Sequence, residues 1–154
     1  MNSTERQPQA NFQIRVFNLT DDYLACRDIW MQGGEGVHLS KSDEPEEILK
    51  KLERDPDLFL VAENDNGEVI GTVIGGFDGR RGMIYHLAVL PQYHRHGIAS
   101  SLVDELELRL RRKGCIRSYL LVLPNNQNAI SFYEKRGWNQ LALSIYAKDM
   151  IDGD

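Results

Sequence analysis

Near the start of the chain Phe12, Ile14 and Val16 alternate with Gln13 and Arg15, a period of two that predicts a strand with one buried face. A helix is expected next. Thr20 or Asp21 can cap it, Leu24, Ala25, Ile29 and Trp30 supply its apolar stripe, and the glycine-rich run 32–36 ends it. Asp43, with Pro45 and Glu46 just inside, starts a second helix that is expected to bury Ile48, Leu49 and Leu52, and Asp55-Pro56 closes it. Residues 58–62 read as a strand, 64–67 as a tight hairpin turn, and 69–77 as the returning strand. After a turn at 79–82, residues 83–90 form a mostly apolar strand ended by Pro91, as expected for a strand covered on both faces.

The period then changes. Ala99, Leu102, Val103, Leu106 and Leu110 recur at helical spacing, four basic residues cluster at 109–113 where a helix dipole favours cations, and Gly114 is the stop. Residues 116–123 read as a strand, 126–136 as a short helix stopped by Gly137, and 138–150 as one or two terminal strands. The order predicts an α/β domain whose sheet is antiparallel in its first part and contains a parallel pair around the main helix.

With 154 residues, 42% hydrophobic and 27% charged, the chain has the size and composition of one globular domain, placed at 12–154 after a disordered tail at 1–11. The net charge of −5 argues against nucleic acid and anionic membrane as partners. No run is long and apolar enough for a signal peptide or membrane span. Two distant cysteines, Cys26 and Cys115, suggest neither a disulfide framework nor a metal site, and a reducing cytoplasm is the expected setting.

Candidate chemistry concentrates in two segments. In the first, a strand runs through Leu87, Ala88 and Val89 into a loop carrying His94, Arg95 and His96, and enters a helix at Gly97, Ile98, Ala99 and Ser100. Small residues there let an anion approach the unpaired N–H groups of a helix's first turn, and Arg95 adds donors beside them. The spacing is neither the Walker loop nor the GxGxxG fingerprint. Taken by itself it also fits a solvated basic corner. In the second segment Asn125 or Asn126 caps a helix that carries Ala129, Ile130 and Tyr133 on one face.

Together the two segments resemble the GNAT superfamily of acetyl-CoA-dependent N-acetyltransferases. Its Gln/Arg-x-x-Gly-x-Gly/Ala motif falls on residues 94–99, and its Asn-x-x-Ala-Ile-x-x-Tyr-Glu-Lys-x-Gly-aromatic pattern on residues 126–138. The runs at 59–63, 71–79 and 81–82 resemble the small stand-alone bacterial members of the YpeA type. The resemblance implies a GNAT-like fold with six to seven strands in a mixed sheet and about four flanking helices. It implies acetyl-CoA as cosubstrate, no metal, and a small-molecule or peptide amine as acceptor. Relatives are often homodimers.

Carried over by position, the backbone of Leu87, Ala88 and Val89 would pair with the pantetheine arm, and the Val89 N–H would hold the thioester carbonyl. Residues 95–99 with Ser100 would hold the pyrophosphate, Asn126 and Ala129 would line the arm, and Tyr133 would sit by the sulfur as general acid. Two departures stand out. His94 replaces the Arg or Gln that opens the phosphate motif, and Met83 and Leu121 stand where some relatives carry a glutamate base. His86 is the nearest candidate base, although a histidine there also reads as a satisfied core residue; Glu35 and His38 are the next candidates, and a water chain is a further alternative. Glu35, His38 and Phe77 are candidate acceptor residues. The same pocket in a non-catalytic acyl-CoA-binding module is the competing reading, with a phosphate- or nucleotide-binding regulator behind it.

The charge also divides unevenly. Residues 1–66 carry seven basic against fourteen acidic groups, whereas residues 91–117 carry six basic against three acidic. The only net basic segment therefore contains the expected pyrophosphate loop, and the acidic excess favours a cationic amine as acceptor.

Overall fold

A computed structural model describes residues 10–32 and 37–152. The expected tail at 1–11 falls outside the described residues save for Ala10 and Asn11, and Glu35 falls outside them too. The chain divides into two compact units, Met1–Leu123 and Pro124–Asp154.

The first unit is built on a sheet in the order β1 (Phe12–Val16), β2 (Phe59–Asn64), β3 (Val69–Phe77), β4 (Gly82–Val89) and β5 (Ser118–Leu120). The first four strands are antiparallel neighbours, and β4 pairs with β5 in parallel. Helix α1 (Leu19–Gln32) and helix α2 (Pro45–Arg54) lie between β1 and β2 in the chain, and helix α3 (Ile98–Arg112) makes the crossover from β4 to β5. The expected element order is present from β1 to the last helix, and so is the antiparallel-then-parallel sheet.

Each element has a local cause. The Asn64 side chain accepts the N–H groups of Asn66 and Glu68, closing the hairpin between β2 and β3. Alternate residues of β3 face opposite layers. A Cβ at Gly71 or Gly75 would touch Ile98, Leu102 or Leu106 of α3, whereas Ile74 joins Trp30, Ile48 and Phe59 in the core shared with α1 and α2. Phe17 stacks on Phe59 with ring centroids 3.8 Å apart. Arg15 ties β1 to α1 through Asp22 (2.7 and 2.9 Å) and to β2 through Glu63. Burial by itself would raise the Asp22 carboxyl, but Arg15 and the Asn18 N–H hold it below its ordinary range.

Several expectations need correction. The described residues form five strands, not six or seven, and 138–152 contain no strand. Leu143 and Ile145 in the expected terminal strand are exposed, because alternation makes a strand only where a neighbouring ladder accepts it. The strand expected at 116–123 shortens to β5 for the same reason. Leu24 and Leu49, expected to be buried, face solvent. Helix α2 takes Glu44 as its N-cap, since Asp43 belongs to a separate 3₁₀ turn, Lys41–Asp43.

In the second unit, helix α4 (Gln127–Lys135) is capped by Asn126, whose side-chain oxygen accepts the Ala129 N–H at 3.2 Å. It ends at Gly137, with φ +89°.

The parallel seam depends on one missing side chain. A Cβ at Gly82 would run into Ser118 Oγ and lie 2.9 Å from Cys115 Sγ. Gly82→Ala should therefore force β5 away from β4 and cost about 1–3 kcal/mol, measured as a lower urea midpoint with an unchanged slope.

Candidate active site

Strand β4 positions most of the site in the first unit. Thr72 pairs with Ala88 and Ile74 with Tyr85, so His86 and Leu87 together oppose the single residue Val73. This β-bulge puts His86 at φ +48°, in the left-handed region that histidine enters more readily than most residues. The ring turns toward the layer of α1 and α2. Its Nε2 is hydrogen-bonded to Asp43 Oδ1 at 2.7 Å, and the Trp30 ring lies 5.2 Å away at 54°.

Beyond the bulge, no strand among the described residues pairs with β4 on the side away from β3, which leaves that edge open within the first unit. β5 pairs with it only from Gly82 to Ile84. Leu90 gives its N–H to Ile70 O of β3, so strand alternation turns the N–H and C=O of Val89 the other way, onto that edge. His94 folds back and donates from Nε2 to Val89 O at 2.9 Å.

The loop after β4 then makes two left-handed steps, Arg95 at φ +67° and Gly97 at φ +78°. The first main-chain bond of α3 runs from Ser101 N to Gly97 O, so the amides of Ile98, Ala99 and Ser100 precede the helical ladder. A Cβ at Gly97 would meet nothing within 4 Å. The loop is thus open on its outer side, with positive dipole and exposed Arg95 together, and can accept a polyanion. His96 accepts the Ala10 N–H at Nδ1 (3.0 Å) and packs against Tyr93.

The first unit thus brings together Leu87, Ala88, Val89, His94, Arg95, His96, Gly97, Ile98, Ala99 and Ser100 along one strand, loop and helix start. His38 is exposed in the segment before the 3₁₀ turn. Phe77 ends β3, where its carbonyl accepts from Arg54 at 3.0 Å. In the second unit Tyr133 is half-buried, edge-on to Phe132 and Trp138 at 5.1 and 5.9 Å.

Cys26 is fully buried and its thiol is pushed up to about 12 by that burial, which removes it as a nucleophile. Among the described residues no three metal-ligating side chains come together, and no helix is long and apolar enough to cross a membrane.

Sequence reasoning missed the partner of His86. The Ser-x-x-Asp spacing at 40–43 was its only local trace, since a capping box fixes the Asp43 carboxylate in place.

The description of the Acetyltransferase (GNAT) family matches residues 21–138. A protein named acetyltransferase from Pectobacterium atrosepticum is 39% identical over 142 residues, covering 91% of this chain and 96% of its own. Among solved structures, Ard1 from Thermoplasma volcanium aligns with a TM-score of 0.74 and 25% identity, over 85% of this chain and 84% of its own. The paia N-acetyltransferase from Thermoplasma acidophilum, solved in complex with coenzyme A, aligns with a TM-score of 0.73 and 19% identity, over 87% and 93%. The chain belongs to the GNAT acetyltransferase family and is an acyltransferase.

The loop geometry can be tested without ligand. Gly97→Ala meets no clash but must hold φ +78°, so it should cost about 1–2 kcal/mol in chemical denaturation.

Proposed function

We propose that this acyltransferase moves acetyl from acetyl-CoA directly to a primary amine in a ternary complex, with residues 12–154 as its catalytic domain. The open edge of β4 carries the reading. An extended pantetheine arm laid there gains main-chain hydrogen bonds as an added strand does, and the Val89 N–H meets the thioester carbonyl. A preorganised amide at the oxygen that gains charge contributes about 3 kcal/mol when water is excluded. His94 must first leave Val89 O. The coenzyme A bound by the Thermoplasma acidophilum neighbour supports the same donor.

The loop from Arg95 to Ala99, with Ser100, holds the pyrophosphate. It fits because its outer side is open and its backbone turns left-handed twice. Asn126 and Ala129 line the cofactor arm. His86 takes a proton from the incoming ammonium, the free amine attacks the thioester carbon, and the C–S bond breaks. Tyr133 protonates the departing sulfur, a role open to a phenol, whose reference pKa is about 10 against about 8.5 for a thiol. Glu35, His38 and Phe77 contact the acceptor, whose positive charge suits the acidic excess of residues 1–66. Two free cysteines suit a reducing cytoplasm.

Tyr133→Phe should lower turnover roughly 100-fold while leaving acetyl-CoA affinity within twofold by calorimetry. Unchanged turnover removes Tyr133 as the acid, and a calorimetric preference for ATP over acetyl-CoA defeats the whole reading. In a screen of N-terminal peptides, lysine peptides, spermidine, amino acids and kanamycin, followed by release of free CoA, cationic amines should be the better acceptors.

A further inference from the structure

We propose that Asp43 is the positioning residue for His86: it holds the Nε2–H of the imidazole, fixes the tautomer, and leaves the Nδ1 lone pair to take the acceptor's proton. The inference rests on the acetyl-transfer reading above, with His86 as base.

The carboxylate is itself held in place. Asp43 is 7% exposed, its Oδ2 accepts the Ser40 N–H at 3.0 Å, and its main-chain carbonyl accepts the Tyr23 hydroxyl at 2.9 Å. Only Oδ1 is directed at the ring, at 2.7 Å from Nε2. Trp30, itself 1% exposed, packs beside the imidazole, so the ring is fixed by a hydrogen bond and by a packing contact. Among the described residues Nδ1 has no hydrogen-bond partner.

A carboxylate accepts hydrogen bonds and does not donate them, so a neutral His86 must place its proton on Nε2. The basic lone pair is then on Nδ1. The strained backbone fits this arrangement, because the bulge at φ +48° turns the His86 side chain toward the layer that carries Asp43.

The protons balance. Nδ1 takes H⁺ from the ammonium, giving imidazolium beside carboxylate, and the free amine forms the C–N bond as C–S breaks. Imidazolium then releases its proton to water. The net change is ammonium plus thioester to amide, thiol and one proton. The pair carries one negative charge before the transfer, which attracts a cationic acceptor.

Long-range ¹H–¹⁵N spectra of the whole protein at pH 8 read the tautomer directly. Neutral His86 is expected as the Nε2–H form in the wild-type chain. In Asp43→Asn, whose amide can donate to the ring, the Nδ1–H form should appear. For that variant kcat for release of free CoA from acetyl-CoA, with spermidine and a lysine peptide as acceptors, should fall at least tenfold, with KM for acetyl-CoA within twofold. Asp43→Glu, which keeps a carboxylate, should recover part of the loss. A wild-type His86 found as Nδ1–H overturns the proposal with no variant needed, and so does an Asp43→Asn protein unchanged in both tautomer and kcat. His86→Ala separates the two layers. Full turnover in that variant ends the base assignment itself, whereas a loss there without one in Asp43→Asn leaves the base standing and removes only the role of Asp43.

Discussion

Opposite Val73, β4 spends two residues where β3 spends one, and this single irregularity organises the first unit. Before it, β4 runs in register between two partners. After it, β3 is the one strand among the described residues that pairs with β4, and Val89 turns to the other side. The extra residue is absorbed by a histidine at positive φ, whose side chain reaches the layer of α1 and α2. One inserted residue therefore does two things: it exposes a stretch of main chain and aims a titratable ring at the opposite layer.

The neighbouring elements serve that strand. Gly71 and Gly75 let α3 come close to β3, which fixes where the helix starts and so where the Arg95–Ala99 loop must turn. Arg15, held by carboxylates from both α1 and β2, secures the helix that carries Trp30 to His86. Burial of Thr72 and Ile74 on the other face of β3 anchors that layer against the sheet. Packing on both faces of β3 thus sets the position of β4, and β4 carries most of the candidate site.

Much of this was legible in the chain, for local reasons. Alternation marked β1, the turn at 64–67 marked β2 and β3 on either side of it, the 3-4-7 spacing marked α3, and Pro45, Gly114 and the pair Asn125-Asn126 marked helix ends, because each works through neighbours a few residues away. The loop from His94 to Ser100 was equally visible as a motif. What stayed hidden depends on distant partners. The bulge leaves no mark in Tyr85-His86-Leu87-Ala88, and Asp43 meets His86 across 43 positions of sequence. Leu24 and Leu49 fit their helical stripes yet point outward, since periodicity locates a face without locating what covers it. Leu141, Leu143 and Ile145 alternate as a strand should, but alternation cannot supply a ladder.

The hydrogen bond from His94 to Val89 O bears on self-association as well as on the proposed entry of the cofactor. An unpaired strand edge is a template on which another chain can add itself, and proteins blunt such edges by interrupting them. Here the interruption is built in at both ends. The left-handed backbone at His86 breaks the repeat on one side, and the His94 ring occupies the last outward carbonyl on the other. A foreign strand finds too few consecutive bonds to grip, while a thin ligand arm that needs only one or two of them can still displace a single imidazole. Under the proposed reading, that edge admits a thin ligand arm more readily than a foreign strand.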